Sequence, residues 1–286
     1  MTQQAAEPRQ ELLSWESLCE GSAGAALRRS LVELLARPGR FFGKMAVSGG
    51  LFEPLSFFAV VLGVGIVLAF PAALAYLQVA RPDPERLGAA AYAAALLPAR
   101  ASGLLVVLLP LVLPAACAAM MMLGTLFHAG AKAFGARNWE GSVSVWLYTG
   151  AAALVPLVVG TAVVLAVSLA AWLLSLLWPD TLGSSHAFAE LTVDVLLGAG
   201  LLAGAALVVL DASIGCVRAF GLEPVLGAAA AVSGLVVVCL AVGSMIWALG
   251  HASTTVCAAV AAGWTCAAVT LALLAGNAAE RAEGSD

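Results

Sequence analysis

Charge is scarce in this sequence. Only 10% of its 286 residues are Asp, Glu, Lys or Arg, against about a quarter in an ordinary soluble domain. The scarcity is concentrated between Leu55 and Gly276, where several uncharged runs exceed the roughly 20 residues that cross a bilayer core. That excludes a soluble globular class. The residues that metal chemistry needs are also missing as patterns. Six cysteines (Cys19, Cys117, Cys216, Cys239, Cys257 and Cys266) form no C-x-x-C pair, and those within apolar segments read as small buried hydrophobes. His128, His186 and His251 fall at segment ends without metal-ligand spacing, so neither a zinc site nor a disulfide framework is expected. No G-x-x-x-x-G-K-[ST] loop and no G-x-S-x-G elbow occurs. With no constellation of base, nucleophile or metal ligands, the sequence predicts neither an enzyme nor a cofactor, and no nucleic-acid partner. The first fifty residues lack an apolar central region, so no cleavable signal is expected and the first span leads insertion.

What is present is apolar residue: 62% of the chain, with a mean hydropathy of +1.02. The expectation is an all-α polytopic membrane bundle of five to six transmembrane helices, preceded by a cytoplasmic amphipathic helix. Residues 1–10 read as a disordered tail and 11–54 as an interfacial arm. The membrane domain covers 55–276, and 277–286 is a polar tail. The spans fall at about 55–80, 100–127, 143–178, 191–210, 225–249 and 252–276. Residues 128–142 and 211–224 read as loops. As one straight helix the 36-residue third run would be about 54 Å long, so it must tilt, emerge or bend at Pro156 and Gly160.

The arm carries most of the basic charge. Leu27, Leu31, Leu34 and Leu35 recur at i, i+4, i+7 and i+8 over residues 24–36, one face of a helix. Arg28, Arg29 and Glu33 take the other face, and Pro38 ends the helix at Arg37. Beyond it the stretch from Arg37 to Leu55 combines Arg37, Arg40 and Lys44 with Phe41, Phe42 and Met45. Such a mixture suits a membrane surface, with cations at the lipid phosphates and rings in the acyl boundary. Two readings of the helix stay open: an interfacial helix on an anionic leaflet, or an amphipathic helix packed on the cytoplasmic end of the bundle. With the N-terminus inside, six spans place ten of the thirteen basic residues inside and three (Arg81, Arg86 and Arg100) outside. Splitting the third run into a hairpin gives eight to five, so the positive-inside rule prefers the first arrangement.

These segments resemble a known family. Ser14 to Ser17 (S-W-E-S), Leu34 to Met45 with its P-x-x-F-F-x-x-M, and Gly49 to Phe57 with its G-G-x-x-x-P-L-x-F are similar to the opening of bacterial Yip-one domain proteins. His128 to Ala136 (H-A-G-A-K-A-F-G-A), Tyr148, Pro156 and Gly160 resemble shorter elements further along. The resemblance implies a polytopic α-helical membrane domain with a cytosolic N-terminus and typically about five spans. It implies eukaryotic relatives that act in vesicle trafficking and bind prenylated Rab-type GTPases, and bacterial relatives with no settled biochemical role; it transfers no catalytic residue. The family's proline soon after the third-span tyrosine is absent, since Thr149, Gly150, Ala151 and Ala152 follow Tyr148.

Among intramembrane candidates, Glu190 and Asp194 lie four apart at the start of the fourth span. Paired carboxylates there could form an ion or proton site. In the first turn of a helix they are also stabilised by the dipole, by about 0.3–1 kcal/mol. Gly200 and Gly204 form G-x-x-x-G, which allows close helix packing, within the chain or between copies in a homo-oligomer. Asp211 and Glu223 flank Arg218 and read as surface charges. Trp139, Trp172 and Trp178 mark segment ends. The reading that follows is a multi-pass protein of the bacterial inner membrane. It would be a non-enzymatic scaffold that organises membrane or recruits a cytoplasmic partner, in contact with the lipid bilayer; the alternative is a small-solute or ion transporter using Asp194.

Overall fold

The computed structural model describes residues 22–45, 50–80, 103–104, 106–177, 182–251 and seven positions between 260 and 270. All regular structure among the described residues is helical. The helices are α1 (Ala23–Ala36), α2 (Pro38–Lys44), α3 (Phe52–Ala80), α4 (Leu109–Lys132), α5 (Trp139–Leu177), α6 (Leu182–Phe220) and α7 (Pro224–His251). Five are long and apolar enough to cross a bilayer, over Phe52–Ala75, Leu109–Lys132, Trp139–Ala171, Gly198–Phe220 and Pro224–Trp247. The chain is an all-α, multi-pass membrane protein. The sixth run expected at 252–276 lies mostly outside the described residues, and 1–21, 81–102 and 271–286 lie wholly outside them. One described position in that run, Trp264, donates its indole N–H to Ser244 Oγ of α7 at 2.8 Å.

Two segments read as loops are largely helix. Helix α4 continues to Lys132 and α6 continues through Asp211 to Phe220. Charge does not stop either helix; a left-handed glycine does. Gly221 has φ +62°, and Leu222 N–H donates back to Val217 O at 3.2 Å. That is a Schellman closure, which only a residue without Cβ adopts cheaply. Gly135, at φ +106°, closes the turn after α4 in the same way, with Ala136 N–H reaching Ala131 O at 3.4 Å. Helix α5 then starts early because Asn138 caps it, its Oδ1 accepting from Gly141 N–H at 3.3 Å.

The chain divides into two compact units. One comprises residues 1–57, 121–147 and 209–286; the other comprises 58–120 and 148–208. In the second unit Phe58, Val61, Ala72, Tyr148, Ala151 and Ala152 are buried. Val60, Val64 and Val67 lie exposed at i, i+4 and i+7 along α3. An exposed stripe of valines on a spanning helix is a lipid-facing surface. Helices α5 and α6 touch closely in this unit. A Cβ added to Gly204 would lie 2.8 Å from Ala153 O, and one on Gly200 would lie 3.4 Å from Pro156 O. The G-x-x-x-G surface therefore faces a helix of its own chain.

In the first unit the core gathers Leu34, Phe41, Phe42, Phe57, Leu126, Phe127, Val143, Val145, Ala212 and Cys216, all at most 1% exposed. Phe127 stacks on Trp146 with centroids 5.5 Å apart. Two polar pins tie α4 to α5. The Ser142 hydroxyl donates to Asn138 O at 3.1 Å, so its oxygen is free to accept from His128 Nδ1 at 2.9 Å. One turn away Trp139 Nε1–H donates to Thr125 Oγ1 at 3.2 Å. His128 is thus a buried clamp inside a helix, not an interfacial residue at a segment end.

Candidate anion-binding cleft

Helix α1 begins where the Ser22 side chain accepts from Ala25 N–H at 3.4 Å. It buries Ser30 and Leu34 and half-buries Leu27 and Leu31, a stripe at i, i+3, i+4 and i+7. Leu35, expected on that face, is 37% exposed. The helix stops at Arg37, whose N–H donates to Glu33 O at 2.8 Å while its backbone takes φ −144° and ψ 58°. Pro38 then opens α2 at a position where its missing N–H costs nothing. Arg40 and Phe41 N–H groups donate to Arg37 O at 2.9 and 3.1 Å. Arg37 is therefore an elbow that closes one helix and starts the next.

Seven residues cannot hold a helix in water on propensity alone; packing holds α2. Phe41 and Phe42 are 0% and 1% exposed and Met45 is 5% exposed, with the two rings edge to face at 5.5 Å. Gly215 of α6 makes the room: a Cβ there would lie 3.4 Å from Phe42 Cε1 and 2.6 Å from Val145 Cγ1. Gly39 packs against Arg218 and Ile214 of the same helix. The sequence reading put these phenylalanines in the acyl boundary, and the structure puts them in the protein core instead. An apolar ring next to a span satisfies either environment, so composition could not separate them.

The elbow turns the basic residues of both helices toward one another. Arg28, Arg29, Arg37, Arg40 and Lys44 line a cleft of about 620 Å³ with Val32, Ala36 and Glu33. Glu33 is the one carboxylate of the lining among the described residues. It lies 3.1 Å from Lys44 Nζ and 3.5 Å from Arg40 Nε, so it ties α2 back to α1. Arg28, Arg29 and Arg37 are exposed and make no ion pair among the described residues. Among the described residues, five cations around one anion leave the cleft positive and open to water. Chemically it can hold an anion, through guanidinium forks that suit phosphate or carboxylate oxygens.

The other sequence candidates fall elsewhere. Glu190 and Asp194 belong to α6, but their side chains lie outside the described residues. Glu223 is exposed in the turn before α7. Asp211 was expected at the surface, yet it is 1% exposed within α6, and neither carboxylate oxygen has a hydrogen-bond partner among the described residues. The signal that could have revealed it is the lack of any proline between Asp211 and Gly221. A buried polar group without a partner costs about 1–3 kcal/mol. Asp211→Leu is accordingly expected to raise stability by about that amount, read as a higher thermal midpoint in detergent; a lower midpoint would mean that the carboxylate is held by a partner.

Compared with family models, curated proteins and solved structures, the chain matches none.

Proposed function

We propose that this multi-pass protein is a non-enzymatic scaffold of the bacterial inner membrane. Its cationic arm organises the cytoplasmic leaflet or recruits a partner there, in the manner that the Yip-like opening motifs imply. The observation that carries the reading is the folded arm itself. Five basic side chains are gathered on two short helices and the elbow between them, and two fully buried phenylalanines anchor this arm to the membrane domain. A merely solvated tail would need no such anchor. Basic residues retained next to a first span also favour the cytoplasmic side for this arm.

The test is mild crosslinking and co-purification from membranes, comparing the wild type with R28E/R29E. Both arginines are exposed, so the variant is expected to insert and fold normally. Recovery of a defined protein set with the wild type, lost with the variant, supports recruitment. Identical recovery from both overturns it. Recovery of lipid alone, together with a solute flux abolished by Asp194→Asn, overturns it in favour of transport.

A further inference from the structure

We infer that the α1–α2 cleft is a binding site for a multiply phosphorylated, non-aromatic anion, such as a phosphorylated lipid headgroup or a free polyphosphate. Charge sets the valence. Glu33 already neutralises part of the cluster through Arg40 and Lys44, at 3.5 and 3.1 Å. Arg28, Arg29 and Arg37 line the same cleft without an ion pair among the described residues. Three guanidinium groups held together repel one another, and a single monoanion would leave most of that repulsion in place. A ligand carrying two or more phosphate charges relieves it, with the planar forks each able to take two oxygens.

Lining and size set the rest of the ligand. Among the described residues of the lining, Val32 and Ala36 are the apolar ones and none is aromatic. A nucleobase would find no aromatic stacking platform here, which points away from nucleotides and toward phosphorylated polyols or plain polyphosphates. A volume of about 620 Å³ falls in the usual range for small-molecule sites, about 300–1,000 Å³. Position favours the lipid as the source. Lys44 precedes the start of α3 by only eight residues, and Phe52, which opens α3, is 78% exposed. An exposed apolar ring at the start of a span suits the boundary between headgroups and acyl chains. The preorganisation comes from Pro38 and the two buried phenylalanines, which fix α2 against α1 before any ligand arrives.

This inference is separable from the scaffold reading, because it concerns an anion and needs no protein partner. The full-length protein would be titrated in neutral detergent with inorganic pyrophosphate. After reconstitution it would be titrated against phosphatidylcholine vesicles containing about 5% of a bisphosphorylated inositol lipid, and against vesicles of equal surface charge made with a monoanionic lipid. The expected result is a preference for the clustered phosphates, weakened roughly tenfold or more in R28E/R29E and several-fold in R37Q, since each charged hydrogen-bond donor lost is worth that much. Binding of pyrophosphate alone identifies a free polyphosphate as the source; binding of the bisphosphorylated vesicles alone identifies the headgroup. The inference is overturned if neither probe binds, or if R28E/R29E and R37Q bind as the wild type does. It is equally overturned if the monoanionic vesicles bind as tightly as the bisphosphorylated ones, which would reduce the cleft to a diffuse basic surface. Identical partner recovery from the wild type and R28E/R29E, with phosphate binding by the wild type intact, would instead count against the scaffold reading alone.

Discussion

Truncating Phe41 to alanine is expected to destabilise the first unit by about 3–5 kcal/mol, the cost of emptying a fully buried aromatic site. The ring is 0% exposed and packs edge to face on Phe42, which in turn lies over Gly215 of α6. A seven-residue helix is far below the length that persists unaided, so α2 depends on this packing and on the ion pairs of Lys44 and Arg40 with Glu33. The loss should therefore appear as detachment of the arm. Limited proteolysis in detergent would show new cleavage between residues 36 and 45, alongside a lower thermal midpoint. F41A/F42A should release the arm altogether and abolish anion binding in the α1–α2 cleft, although no cation is removed. The competing idea, that these rings insert into lipid, predicts an unchanged midpoint and a weaker affinity for vesicles. Those two observations together would remove the packing argument.

This contrast shows where sequence reasoning stops. Helix α1 is legible almost to the residue because its leucine spacing and Pro38 after it are both local signals. So is the membrane class, since uncharged runs of that length have few alternatives. The destination of Phe41 and Phe42 is not legible, because lipid and protein interior are equally apolar and composition cannot tell one from the other. Each basic residue of the arm could be assigned to an interface singly. Their convergence around Glu33 depends on the angle of the Arg37 elbow, a tertiary fact. Asp211 misled for a different reason. A charge after an apolar run looks like the end of a span, whereas the helix ends where Gly221 turns left-handed, ten residues later. His128 misled likewise: its polarity suggested a loop, and its hydrogen bond to Ser142 is what permits it inside.

A close backbone approach in the first unit, between α4 and α7, is where a single methyl group should do great harm. A Cβ added to Gly130 would lie 2.5 Å from Ser233 O and 2.7 Å from Gly234 N; one added to Gly234 would lie 2.5 Å from the Phe127 ring and 2.8 Å from Phe127 O. These are backbone atoms and a buried ring, so no flexible side chain can swing aside. Gly130→Ala must push the two helices apart. That breaks the bond from Ser233 Oγ to Gly130 O, now 3.0 Å, and loosens Phe127 against Trp146. Overpacking of this kind costs typically about 1–3 kcal/mol, and backbone against backbone belongs at the upper end. Gly63→Ala supplies the control, because a Cβ there meets Leu113 at an ordinary 3.7 Å. Helix propensity alone should then make Gly63→Ala neutral or stabilising by up to about 1 kcal/mol. Opposite shifts of the thermal midpoint in one detergent are the expected result; equal shifts would mean that the two helices do not touch at Gly130.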